Sequence, residues 1–319
     1  MDKITLWNQE EYQYPLSCGF IPNMRLYIHE DEQVRPCILI APGGGYCVVS
    51  PSEGEIVAKK FYNMGYQAAV ITYTTNLIMS DPLKLQPAKD LARAIRYVRK
   101  HADELKVIEN QITLCGFSAG AHAAGTVGVH FEDIEDKKYP GISARPDALI
   151  LSYPVITSGD DAHINSFNAL LGFTPTKEDL NYMSLENHVS EKTPPCFIWQ
   201  TATDELVSVN NSYLFANALQ DHHIPYSLHI FSKGPHGLSL ADETWANEEF
   251  GEPYTLEQTF TLMKAVEDNL ISLPDEVKQI LFNQKAMFTG EVEHQKGSVW
   301  DEVKVWPTLV NEWLKGLNK

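Results

Sequence analysis

Short apolar runs alternate with helix-like patterns from residue 34 to about 231, the signature of βαβ units around a mostly parallel sheet. Strands are predicted at 34–41 (VRPCILIA), 67–73 (QAAVITY), 111–117 (QITLCGF), 147–153 (DALILSY), 196–201 (CFIWQT) and 226–231 (YSLHIF). These runs are apolar at both alternating positions, as expected of strands covered by helices on two faces. Between them, 52–64 opens with Ser52 and Glu55 at capping-box spacing. Residues 88–104 place Leu91, Ile95 and Val98 on one face, with Asp90 near the start and basic residues later, which suits the helix dipole. Further helices are expected at 210–220 and at 301–316, the latter carrying Val305, Leu309, Trp313 and Leu314. The first 30 residues read as one or two edge strands, 24–30 being the clearer. Two segments break the rhythm: 154–195, rich in Asn, Ser, Thr and Pro, and 241–300, with helical patterns around 255–271 and near 275–283. Insertions of this length are more often lids or rims than new domains. The expectation is one α/β domain over 1–319, a mostly parallel sheet with helices on both faces and two insertions forming a lid or rim.

Composition supports this picture. A chain of 319 residues can bury a full core, and 44% apolar with 21% charged residues is a globular balance. Acidic residues number 42 against 25 basic, a formal charge of −17. Such a chain repels phosphate backbones and anionic lipid heads, which argues against nucleic-acid and membrane-surface roles and for a small-molecule partner. The five cysteines (Cys18, Cys37, Cys47, Cys115, Cys196) are odd in number and lack C-x-x-C spacing. That argues against a disulfide framework or zinc cluster and for a reducing compartment. The opening MDKITLWNQEEYQYP has no apolar core of a signal peptide, and no run approaches the ~20 apolar residues of a membrane span. A cytoplasmic location is the expectation; oligomeric state is not legible.

The candidate chemistry begins at Gly116-Phe117-Ser118-Ala119-Gly120, which follows a predicted strand and opens a small-residue stretch able to form a helix. A strand–turn–helix elbow lifts a serine Oγ above the sheet edge and needs glycines where neighbouring Cβ atoms would clash. The competing reading is a Gly/Ser turn feeding a packed helix. Pro42-Gly43-Gly44-Gly45-Tyr46 lies just after the 34–41 strand, where such a fold supplies an oxyanion-hole amide, joined by the amide after the nucleophile, here Ala119. A flexible turn and a phosphate-cradling loop are the alternatives, but G-G-G-Y-C-V matches neither nucleotide-loop pattern. The base must follow later in the chain. Gly234-Pro235-His236-Gly237 comes after the last predicted strand, whereas His122 is one turn along the elbow helix. His222 and His223 precede a strand, and His229 lies within it. For the acid, Asp204 leaves the 196–201 strand on schedule; Glu205 is its neighbour, and Asp160 and Asp161 follow one strand earlier. Asp204 also suits a helix N-cap.

The stretches PGGGYCVVSPSEGE, GFSAGAHAA, HINSFNALLG, TPPCFIWQTATDELVSVNNS and KGPHGLSLA resemble the α/β-hydrolase superfamily. Within it they are similar to bacterial acetylesterases, acetylxylan-esterase-like proteins and BD-FAE (feruloyl-esterase-like) proteins. The resemblance implies a triad of Ser118, Asp204 and His236, and an oxyanion hole of Gly44 or Gly45 with Ala119. It also implies removal of acetyl groups from sugars or xylo-oligosaccharides, with no metal or organic cofactor. Ala121 stands where many relatives carry a glycine, Ser208 where a proline is usual, and 241–300 is longer than in the family pattern.

Weaker assignments complete the reading. Tyr46 either lines the acyl pocket or packs on its loop. His163, with Ser166 and Phe167, either contacts the alcohol part of the substrate or packs the first insertion. Cys115 and Cys196 are small core hydrophobes. Trp245 and Trp300 flank the second insertion and either stack on sugar rings or pack. The apolar stripe Leu256, Phe260, Met263 and Val266 suggests that the insertion roofs the pocket or packs the sheet's flank, and a rim that restricts acyl length is the expectation. The leading function is a serine esterase acting on short acyl esters of carbohydrates or other small alcohols. A prolyl-oligopeptidase-like serine peptidase and a non-catalytic hydrolase-fold binding protein are the alternatives.

Overall fold

The computed structural model describes residues 2–275, 277–279, 281–282 and 297–317. Its centre is an eight-stranded sheet: β1 (Lys3–Thr5), β2 (Asn23–Tyr27), β3 (Arg35–Ala41), β4 (Gln67–Thr72), β5 (Val107–Phe117), β6 (Ala148–Ser152), β7 (Cys196–Thr201) and β8 (Tyr226–Phe231). The order is β1-β2-β4-β3-β5-β6-β7-β8. The first two strands pair antiparallel; all pairings from β4 to β8 are parallel.

The doubly apolar strands have two covers, and the two-residue period divides their side chains between them. Leu39, Ala41, Leu114 and Leu149 join a core with Leu91 and Ile95 of α2 (Gln86–Lys100), Val127 of α3 (Ala119–His130), and Phe215 and Leu219 of a later helix, Asn210–Asp221. Ile38, Ile40, Cys115, Ile150 and Trp199 face the other way, onto Val57 and Phe61 of α1 (Glu55–Asn63) and onto Trp306 and Val310 of the helix Trp306–Leu317. Trp245 and Trp300 are half-buried against this second core, so packing accounts for both.

Two local expectations change. The capping box at Ser52–Glu55 does not form: Pro51–Glu53 is a 3₁₀ turn, and α1 starts one turn later from Gly54. Ser52 Oγ instead meets Ser50 Oγ (2.9 Å), and Glu55 pairs with Lys59 (2.5 Å). Strand β5 also runs back to Val107, which pairs with Arg35 across a register shift.

The first insertion holds α4 (Ile164–Leu171), α5 (Lys177–Tyr182) and a 3₁₀ turn at Leu185–His188. In the second, 276, 280 and 283–296 fall outside the described residues, so the helical pattern near 275–283 is only partly visible. The described part packs on the sheet's flank. Tyr254 O–H meets Tyr27 (2.8 Å), Glu257 takes Lys3 (2.6 Å), and Gln258 brackets Thr75, accepting from its amide (2.8 Å) and donating to its carbonyl (2.7 Å). Leu262, Met263 and Val266 of the helix Glu257–Glu267 close over Leu77 and Ile78. The stripe thus packs on the loop after β4, whose Asn76 amide donates to the Tyr46 carbonyl of the glycine loop (2.8 Å).

The parallel register brings the ends of β3, β5, β6, β7 and β8 to one edge, where the loops carrying Gly43–Gly45, Ser118, Tyr153, Asp204 and His236 emerge. Close packing at that edge leaves no room for a Cβ at Gly120, which would strike the Ala41 and Pro42 carbonyls. Gly120→Ala is therefore expected to destabilise the fold by on the order of 2–3 kcal/mol, as overpacking a core does. Denaturant unfolding measures this, and a wild-type midpoint would show that the elbow has slack.

Candidate active site

Ser118 sits between β5 and α3 with φ 51° and ψ −119°, a left-handed backbone that costs a non-glycine residue about 1–3 kcal/mol. The surroundings hold it there. Its amide donates to the Ser152 carbonyl (2.9 Å), and its own carbonyl accepts from the amides of Ala121, His122 (both 3.1 Å) and Val155 (3.3 Å). A Cβ at Gly116 would lie 2.5 Å from the Ala121 Cα, so only glycine allows the elbow to close.

His236 reaches this serine from the loop after β8. Its Nε2 lies 2.8 Å from Ser118 Oγ and its Nδ1 lies 2.7 Å from Asp204 Oδ2. A carboxylate only accepts, so Nδ1 carries the hydrogen and Nε2 is free to accept from Oγ–H. The Leu206 and Val207 amides donate to Asp204 Oδ1 (3.0 and 2.9 Å), which turns Oδ2 toward the imidazole. Burial pushes the Asp204 carboxyl up, but the His236 hydrogen bond and charge, with those two amides, outweigh it and leave the group below its ordinary value. The side chain of Asp204 is 1% exposed and that of His236 12%.

The competing acids lie elsewhere. Glu205 and Asp160 are exposed or at the rim, and Asp161 accepts from Asn210 Nδ2 (3.0 and 3.1 Å). Among the histidines, His222 and His223 are exposed before β8, and His229 stacks on Phe197 at 4.8 Å. His122 is fully buried: Nδ1 accepts the Tyr46 hydroxyl (2.7 Å) and Nε2–H donates to the Met183 carbonyl (2.8 Å).

The glycine loop runs beside the elbow. The Gly43 amide is taken by Glu53 Oε2 (2.7 Å), so Gly43 has no donor left for a substrate. The Gly44 carbonyl accepts from Cys47 and Val48 (2.9 and 3.2 Å), while among the described residues no hydrogen bond occupies the amides of Gly44 or Gly45. The Ala119 amide, in the first turn of α3, has no intrahelical acceptor. Tyr46 is 1% exposed and its hydroxyl is tied to His122. The Tyr73 hydroxyl also donates to the Pro42 carbonyl (2.5 Å), and the Asn76 amide to that of Tyr46 (2.8 Å).

His163 precedes α4, and its Nδ1 meets Ser166 Oγ (2.8 Å). Burial pushes its imidazole down, as does the charge of nearby His236. A Cβ at Gly45 would come 3.9 Å from Ser166 Oγ, so this pair borders the glycine loop. Two residues without a role in the sequence reading also stand here. Tyr153 packs its ring edge-on to His236 (4.8 Å, 69°), and Glu53, 4% exposed, accepts from both Gly43 and Tyr153. A hollow of about 790 Å³ lies at the opposite strand ends among Pro36, Gln111, Asp147, Pro195 and Pro225, away from this serine.

Among the described residues no three His, Cys, Asp or Glu side chains converge as metal ligands, and no helix is long and apolar enough to cross a membrane. All five cysteines are free thiols.

The sheet order, the strained serine elbow and the loop positions define an α/β-hydrolase. Within that class the chain belongs to the BD-FAE family, whose model matches residues 24–219. It is 48% identical over 263 residues to endo-1,4-beta-xylanase B of Butyrivibrio fibrisolvens, covering 82% of this chain and 41% of that protein. It is 27% identical over 227 residues to the acetylxylan esterase of Xylanibacter ruminicola, covering 70% of this chain and 44% of that one. The chain therefore spans about two fifths of the length of these relatives. Among solved structures it is similar to an acetyl ester-xyloside bifunctional hydrolase from Caldicellulosiruptor lactoaceticus, with TM-score 0.71 and 36% identity over 85% of this chain and 97% of that one. A carboxylesterase from Lactobacillus plantarum shares the fold at TM-score 0.67 and 23% identity, over 99% of this chain and 97% of that one.

The Tyr46–His122 clamp makes stability depend on acidity. Burial pushes the His122 imidazole down to about 4, so between that value and about 6.5 the unfolded chain binds the extra proton. The stabilisation is complete above about 6.5 and is lost toward pH 4, on the order of 3 kcal/mol over the window. Asp90, pushed up by burial to about 6, contributes with the opposite sign there, so the test compares two proteins. Unfolding free energy should fall less steeply from pH 7 to 5 in His122→Gln than in wild type. Parallel slopes would show that His122 does not carry this dependence.

Proposed function

We propose that this α/β-hydrolase is a serine carboxylic-ester hydrolase that removes short acyl groups, acetyl foremost, from carbohydrate or similarly small esters. One observation carries the reading: Ser118 Oγ, His236 and Asp204 lie in hydrogen-bonded series at 2.8 and 2.7 Å, with free backbone amides on either side of the serine. His236 Nε2 accepts the Oγ proton as the oxygen attacks the ester carbonyl, and Asp204 stabilises the imidazolium. The amide of Gly44 or Gly45 and that of Ala119 receive the oxyanion. The imidazolium then protonates the leaving alcohol, and water, activated by the same histidine, cleaves the acyl-serine.

The substrate class is supported by an acetylxylan esterase and an acetyl ester-xyloside hydrolase among the relatives. Short acyl preference follows from crowding. Ser118 is only 6% exposed, and the His163–Ser166 pair borders the glycine loop. On the alcohol side, His163 is the residue we assign to the sugar.

A panel of p-nitrophenyl esters from acetate to octanoate, acetylated xylo-oligosaccharides and a prolyl peptide tests this reading. Efficiency should fall from acetate to longer chains, whereas an open apolar cleft would gain ~0.8 kcal/mol per methylene. Peptide cleavage without ester turnover would replace the reading with a peptidase.

Within the same assay, Ser118→Ala should lower kcat by on the order of 10⁴-fold or more while the protein stays folded. Asp204→Asn should cost far more than Glu205→Gln, because only the former disturbs the imidazole. A folded Ser118→Ala protein with normal turnover would contradict the assignment.

A further inference from the structure

Glu53 is a buried carboxylate with no lysine or arginine among its hydrogen-bond partners, and it stands between two loops of the site. Its Oε2 accepts the Gly43 amide (2.7 Å) and its Oε1 accepts the Tyr153 hydroxyl (2.6 Å). Burial pushes the Glu53 carboxyl up from its ordinary value, against the Tyr153 and Gly43 hydrogen bonds and the His236 charge, which pull it down; with both oxygens used as acceptors, the pattern is that of a carboxylate. The Tyr153 oxygen accepts in turn from the Ser239 amide (3.1 Å), three residues past His236, and Ser239 Oγ donates to the Ser52 carbonyl (2.6 Å) beside Glu53. Trp306 Nε1 holds the Ser239 carbonyl (2.8 Å). The glycine loop, the residue after β6 and the histidine loop are therefore joined through one side chain.

We propose that Glu53 is a positioning residue for ester hydrolysis: its carboxylate fixes the glycine loop to the histidine loop and sets a second negative charge behind the imidazole. The inference rests on the serine-esterase reading. Gly43 directly precedes Gly44 and Gly45, one of whose amides is assigned to the oxyanion, so the bond that fixes Gly43 also aims that donor. Tyr153, held at its hydroxyl by Glu53 and Ser239, presents its ring edge to His236 and limits the imidazole's swing. As His236 gains a proton in the reaction, the Glu53 charge favours the imidazolium alongside that of Asp204.

The titratable groups around His236 are Asp204 after β7, Tyr153 after β6, His163 before α4 and Glu53 on the 3₁₀ turn. Around Glu53 they are Tyr153, His236, Tyr73 and Cys115; burial pushes the two phenols and the thiol up, so these three stay neutral. Glutamine at 53 can accept from Gly43 through its one carbonyl oxygen, but its amide nitrogen cannot accept from Tyr153 and brings no charge. Phenylalanine at 153 keeps the charge and removes the link to the histidine loop.

The test measures kcat, KM and pH–rate profiles of wild type, Glu53→Gln and Tyr153→Phe on p-nitrophenyl acetate, with thermal melting of each. Loss of positioning should lower kcat by about 10- to 100-fold in both variants with KM little changed. The acid limb of the profile should move to lower pH in Glu53→Gln and stay in place in Tyr153→Phe. A lowered melting temperature with wild-type kcat and acid limb in Glu53→Gln would overturn the proposal, leaving Glu53 a structural residue. Should Glu53→Gln fail to fold, Tyr153→Phe decides, and wild-type kcat there overturns the proposal equally. Wild type that does not hydrolyse the ester refutes the esterase reading and this inference with it; active wild type with unaffected variants refutes the inference alone.

Discussion

Ser118 holds a backbone conformation that an L-residue adopts only under constraint, and the neighbouring loops are arranged to impose it. The Ser152 carbonyl fixes its amide and three amides converge on its carbonyl, so relaxing φ would break bonds to β6, to α3 and to the segment after β6. Gly116 and Gly120 allow the close approach that makes those bonds possible. The consequence is chemical: Oγ stands at the strand ends, facing His236, while the first amides of α3 remain unpaired beside it.

The glycine loop shows a complementary economy of donors and acceptors. Its ends are tied down at Pro42 by Tyr73, at Gly43 by Glu53 and at Tyr46 by His122 and Asn76. Among the described residues no acceptor takes the amides of Gly44 and Gly45. Fixed donors of this kind need no reorganisation when charge develops on a carbonyl oxygen, which is how such sites stabilise an oxyanion. The buried groups that do the tying, a carboxylate and a neutral imidazole, each have their hydrogen-bonding capacity filled, as burial requires.

The strands were legible because the sheet is covered on both faces: 196–201 and 226–231 coincide with β7 and β8, and Gln67–Thr72 lies within one residue of its prediction. Strand β5 was read too short because Val107–Asn110 lies beyond that double cover, where the pattern turns polar. The Ser52–Glu55 spacing misled because Pro51 begins a 3₁₀ turn that moves the helix start to Gly54. Ser118, Asp204 and His236 could be nominated from chain order, each following a strand. The choice between Asp204 and Glu205 needs geometry, since the Leu206 and Val207 amides aim one carboxylate. Glu53 and Tyr153 were illegible: their meaning lies in bonds linking residues 43, 53, 153 and 239, which no local pattern encodes.

With Ser118 as the proposed nucleophile, the acyl group passes through its Oγ. Rapid acid quench of the enzyme during turnover of p-nitrophenyl acetate, followed by peptide mass spectrometry, tests it directly. One acetyl group is expected on the peptide bearing Ser118, absent when that residue is alanine. Turnover with the acetyl group on another residue would contradict it.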